Sequence, residues 1–127
     1  MSGAEDIVTF EKRFTKVQVG AGDIIFREGD PVDAAYIVNS GEVLICTINN
    51  KHELTHLTTV HKGQVFGDLA LINEGRRSAT ALTEKGCELI VVKPEQLAAI
   101  LQHADPFVRF WIEYLGQRVI DLSKRVD

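Results

Sequence analysis

A mainly β fold, a sandwich or barrel followed by C-terminal helices, is predicted by three features of this 127-residue sequence. Turn signals recur at roughly ten-residue spacing through residues 15–93: Val19-Gly20-Ala21-Gly22, Glu28-Gly29-Asp30-Pro31, Asn39-Ser40-Gly41, Asn49-Asn50-Lys51, His61-Lys62-Gly63 and Glu84-Lys85-Gly86. The runs between them are short and strand-like, and that spacing excludes alternating strand–helix units. After Lys93 the apolar period lengthens to that of helices.

The elements follow in order. Residues 1–14 are polar and mixed, a short helix or loose arm ahead of the domain at 15–127. Strand pairs then build the barrel, residues 15–93. Its clearest hairpin turn is Asn49-Asn50, between 43–48 and 53–60. Pro94 suits the first position of a helix, with Glu95 in its first turn and Leu97, Ile100 and Leu101 on one face. Asp105-Pro106 opens a second helix, Asp105 as N-cap. It runs to Val126, about 33 Å at 1.5 Å per residue. That helix carries two apolar surfaces. Val108, Ile112, Leu115, Val119, Leu122 and Val126 form a seam with alternating steps of four and three. Phe107, Phe110, Trp111 and Tyr114 form a neighbouring face. One helix against one barrel needs a single apolar stripe. The aromatic face is therefore expected on the barrel and the seam on a second copy, giving a homodimer.

Composition narrows the function. Hydrophobic residues make up 45% and charged residues 25%, and the net charge is −4. An acidic balance argues against general nucleic-acid binding but permits an anionic ligand in a locally positive pocket. Cys46 and Cys87 are too few for a disulfide framework or a zinc site, and read as reduced, buried thiols of a cytoplasmic protein. No secretory leader is visible in residues 1–10. No apolar run approaches the roughly 20 residues of a membrane span. His52, His56, His61 and His103 do not form the set of a jelly-roll metal enzyme, and no nucleophile pattern is present. The expected class is a binding module without catalytic, metal or cofactor residues.

The most informative stretch is Phe66-Gly67-Asp68-Leu69-Ala70-Leu71-Ile72-Asn73-Glu74-Gly75-Arg76-Arg77-Ser78-Ala79-Thr80. Glycine lets backbone approach a ligand closely. Free N–H groups at the next helical turn suit a phosphate. Arginine presents a planar fork of donors to phosphate oxygens. A carboxylate accepts from sugar hydroxyls. The set suits a small anion attached to a sugar.

This stretch resembles the phosphate-binding cassette of cyclic nucleotide-binding domains, whose usual form is F-G-E-L-A-L, a short turn, then R-[AST]-A-[ST]. Gly22-Asp23-Ile24-Ile25-Phe26 with Glu28-Gly29-Asp30, and Tyr36-Ile37-Val38 with Ser40-Gly41-Glu42-Val43, resemble the family's first strands. The resemblance, from about Lys16 to the C-terminus, implies a β-jelly-roll barrel and a cyclic nucleotide ligand. It implies Arg77, Ser78, Gly67, Leu69 and Ala70 at the cyclic phosphate, with Arg76 facing solvent and Leu71 and Ile72 as core anchors. It places Asp68 at the ribose, where the family's usual residue is Glu; the shorter side chain predicts a weaker hold or a bridging water. Alignment with bacterial catabolite activators puts Ile45, Leu57 and Ser123 near the base. Ser78 after the arginine favours adenine, hence cAMP. Ligand closing the C-terminal helix would then alter dimer geometry. Family members that read DNA follow this helix with a further domain, so residues 1–127 are expected not to bind DNA directly. Two alternatives stand beside the sensor: a degenerate, non-binding scaffold, and the sensor fragment of a transcription regulator.

Overall fold

The computed structural model describes residues 13–68 and 75–124, with the side chains of 123 and 124 outside the description. Residues 1–12 of the N-terminal arm, Leu69, Ala70, Leu71, Ile72, Val126 and the Ser123 side chain therefore lie outside the described residues. Among the described residues eight strands precede two helices: β1 Thr15–Val19, β2 Ile24–Phe26, β3 Ala35–Gly41, β4 Val43–Ile48, β5 Leu54–Val60, β6 Val65–Phe66, β7 Thr80–Leu82, β8 Cys87–Val92, α1 Pro94–Gln102 and α2 Pro106–Lys124. They form two four-stranded antiparallel sheets, ordered β1-β8-β3-β6 and β2-β7-β4-β5. The predicted mainly β jelly roll is present. The barrel is not closed: β1 and β2 are edges of different sheets, and the two sheets share a core rather than a ladder.

Period-two alternation explains the core. Tyr36, Val38, Val43, Phe66, Ala81, Cys87 and Leu89 meet between the sheets. The intervening Ile37 and Ile90 point to the other face of the first sheet, where Phe14 and Val92 pack on them. Strand β3 is thus buried on both faces at Ala35 to Val38, as its unbroken apolar run requires. Cys46 and Cys87 are free thiols and buried. Burial pushes both upward in pKa, with the Glu84 charge adding at Cys46 and a hydrogen bond from Thr83 opposing at Cys87.

The β4–β5 hairpin forms as expected, but its connection spans residues 49–53. Asn49 organises it: Oδ1 accepts from the backbone N–H of Lys51 and of Glu53, at 2.8 and 3.0 Å. His52 takes the left-handed backbone, φ 62°. Further along, Cys46 pairs with His56 and Ile45 with Thr58, leaving Leu57 as the extra residue of a bulge.

Both helices start where their prolines predicted. Asp105 Oδ1 accepts from Phe107 N–H at 2.8 Å, the expected N-cap. Expectation and structure part on the rotation of α2. Phe107 and Phe110 are 62% exposed, Trp111 52% and Tyr114 49%, so the aromatic face does not pack on the barrel. The buried line is Gly116 and Ile120, one turn apart. The aromatic side chains instead pack on one another, Phe107 edge-on to Trp111 at 5.3 Å and Phe110 stacked on Tyr114 at 6.2 Å. The seam residues Val108, Ile112, Leu115, Val119 and Leu122 are exposed. No helix among the described residues is long and apolar enough to cross a membrane.

Candidate functional site

Arg77 sits where the C-terminal end of the cassette meets the turn after β2. That turn is built by Asp30, whose Oδ2 accepts from Arg27 N–H at 2.9 Å. The turn then grips the arginine's backbone: Gly29 N–H donates to Arg77 O at 2.8 Å, and Arg77 N–H donates to Asp30 O at 2.9 Å. Glu28 N–H donates to Thr80 Oγ1 at 2.9 Å, fixing the next residue pair. Arg76, as expected, is exposed, and its Nη1 reaches only the Gly29 carbonyl, at 3.2 Å.

The Arg77 side chain turns inward and is only 1% exposed. Its Nη1 donates to the Gly67 carbonyl at 3.1 Å. Its Nη2 donates to the Ala34 carbonyl at 2.5 Å and to Asp33 Oδ1 at 3.2 Å. Below lies the Phe26 ring, its centroid 4.0 Å from Cζ, with the Tyr36 centroid at 5.8 Å. Phe26, Tyr36 and Phe66 stack on one another at 5.2–6.1 Å. Nε is buried and has no acceptor among the described residues.

This electrostatic arrangement is unbalanced. A buried guanidinium is costly unless paired and hydrogen-bonded. Among the described residues its carboxylate partner is Asp33, which is 81% exposed and so largely screened by water. The site keeps a buried cation with an unused donor, a combination suited to an incoming anion. Burial pushes the Tyr36 phenol upward in pKa; Asp33 adds to this and Arg77 opposes it, so the ring stays neutral beside the cation.

Gly67 is required here by geometry. Its φ is +74°, and a Cβ at this position would stand 2.7 Å from Arg77 Nη1 and 3.5 Å from the Phe26 ring. Asp68 follows it and is exposed, as is Ser78 after the arginine. The structure thus brings Gly67 and Arg77 into contact, with Asp68 and Ser78 adjacent in the chain. The base candidates do not form one wall. Ile45 is partly buried against the core, whereas Leu57, at the bulge, is 56% exposed. A cleft of about 900 Å³ lies elsewhere, between β1 and β2. It reaches Asp33, Ala34 and Tyr36 but neither Gly67 nor Asp68 lines it.

Sequence reasoning missed Asp33, the Ala34 carbonyl and Phe26. A weak signal existed: an arginine destined for burial needs acceptors, and Asp33 stands beside the most apolar strand.

Comparison with known proteins supplies the family. Residues 16–104 match the model of the cyclic nucleotide-binding domain. The cyclic AMP receptor protein of Thermus thermophilus is 32% identical over 106 residues, covering 84% of this chain and 49% of that protein. A cAMP-dependent protein kinase regulatory subunit of Blastocladiella emersonii is 37% identical over 59 residues, 46% of this chain and 15% of that one. This chain therefore spans about half or less of the length of these curated relatives. Among solved structures, the EAL enzyme Bd1971 is similar in its cAMP-bound form, with TM-score 0.70, 31% identity, and coverage of 88% of this chain and 30% of that one. Its cGMP-bound form gives TM-score 0.72 at 32% identity, covering 87% and 30%. With the family model matched over well over half its length, the chain belongs to the cyclic nucleotide-binding domain family.

Proposed function

We propose that this domain is a non-catalytic cytoplasmic sensor whose ligand is cAMP. The observation that carries this reading is the Arg77 guanidinium, buried against Gly67 with Nε lacking an acceptor among the described residues. In this reading Arg77 and Ser78 take the cyclic phosphate, with backbone N–H groups of Gly67, Leu69 and Ala70. Asp68 takes the ribose. Ile45, Leu57 and Ser123 border the base, with Leu57 offered outward by its bulge. Support for a cyclic nucleotide comes from the family and from the cAMP- and cGMP-bound forms of Bd1971.

The C-terminal helix supplies the response. The exposed seam on α2 is the surface through which two copies pair. Ligand that draws α2 over the base changes the geometry of that pair, to the extent that it binds one arrangement more tightly than the other. A scaffold that binds no nucleotide is the second reading, favoured by the width of apolar surface on α2.

Calorimetric titration with cAMP, cGMP, cyclic CMP and linear AMP separates the two. The sensor reading expects saturable binding of cAMP, tighter than cGMP and much tighter than linear AMP. No binding of any cyclic nucleotide below about 1 mM, some 4 kcal/mol of affinity, leaves the scaffold.

A further inference from the structure

We infer that Phe26 is a positioning residue for the ligand phosphate: its ring is the platform that holds the Arg77 guanidinium ready for an anion. This rests on the cyclic nucleotide reading above. The polar tethers of Arg77 all act at its tip, Nη1 on Gly67 and Nη2 on Asp33 and Ala34. They hold the fork at its terminal nitrogens. The guanidinium carbon lies over the Phe26 ring, 4.0 Å from its centroid.

That contact is well placed to matter. Arg77 is buried, so the attraction between the cation and the ring's negative face is little screened. Its carboxylate partner Asp33 is mostly solvated and holds it less firmly. The ring itself is braced by Tyr36 and Phe66, at 6.1 and 6.0 Å. Gly67 leaves no room for a Cβ beside Arg77 Nη1, where one would stand at 2.7 Å. An aliphatic side chain at position 26 could occupy the same volume but would offer no negative face. Without the platform, Arg77 would populate other rotamers, and apparent affinity would fall by the fraction lost from the receptive one.

The test replaces Phe26 in the full chain with mono-, di- and trifluorinated phenylalanine. These keep the ring's shape while draining negative charge from its face. The cAMP dissociation constant is read by calorimetry and the Arg77 Nε–H signal by ¹⁵N NMR. Affinity should fall stepwise, by about three- to tenfold at trifluorophenylalanine, with the melting midpoint nearly constant. In the free protein the Nε–H signal should carry a ring-current shift that Phe26→Leu reduces sharply, leaving only the part from the more distant Tyr36 ring, and that Phe26→Tyr retains. cAMP binding that is indifferent to fluorination overturns this inference alone. Absence of cAMP binding to the unmodified chain overturns the functional reading and this inference together.

Discussion

A cation taken out of water has to be compensated by its neighbours, and Arg77 is compensated mainly by two carbonyls and an aromatic face. Arg77→Ala should therefore remove a charge-assisted contact to the ligand and weaken cAMP binding about tenfold to a hundredfold, read by calorimetry. Gly67→Ala should act on both stability and binding. Its Cβ would meet Nη1 in a backbone region that side chains rarely adopt, so a loss of about 1–2 kcal/mol by denaturant melting should accompany weaker binding. Asp68→Glu should do the opposite. Asp68 is exposed, so its change should alter cAMP affinity while the unfolding midpoint stays within error. The spacing of the cassette pointed to Arg77 rather than Arg76, and of the two it is Arg77 that is buried. Its holders were not legible, because Asp33 stands 44 residues away and reaches Arg77 only once the turn after β2 is folded against the cassette.

Local chemistry marked where elements begin and end. Pro94, Pro106 and the Asp105 cap read correctly, since each acts through a fixed backbone angle or a bond to its near neighbour. Asn49 marked the hairpin, but the length of its connection depended on a side-chain oxygen that reaches Glu53. The two apolar surfaces of α2 were also legible from periodicity. Which of its faces is buried was not, because the buried line runs through Gly116 and Ile120 rather than along the most hydrophobic stripe. That rotation has a consequence for stability. Ile120→Ala should cost about 2–4 kcal/mol in chemical unfolding, and Trp111→Ala under about 1 kcal/mol, because only the first empties a buried site. Equal losses from the two changes would mean that α2 is rotated the other way.

For the whole molecule, two sheets share one core and hold Arg77 buried, while the C-terminal helices leave broad apolar surfaces uncovered. The fold class was legible because turn spacing and strand periodicity are local. Barrel closure was not, because it depends on which edges pair. Buried neutral thiols make the frame sensitive to alkali. Their pKa values are raised in the folded state, so protonation favours the fold below the ordinary thiol pKa, and stability falls as pH rises through the raised values. At neutral pH, Cys46 and Cys87 should resist alkylation until the chain is unfolded, as mass spectrometry of iodoacetamide-treated protein would show. The seam on α2 predicts a dimer by sedimentation that Leu115→Glu converts to monomer. Most direct of all is a cAMP titration of the unmodified chain beside Arg77→Ala, with folding of both verified by circular dichroism. Saturable binding that weakens at least about tenfold without Arg77 is the predicted result; binding of equal strength in both proteins would contradict the assignment of Arg77 as the anion receptor.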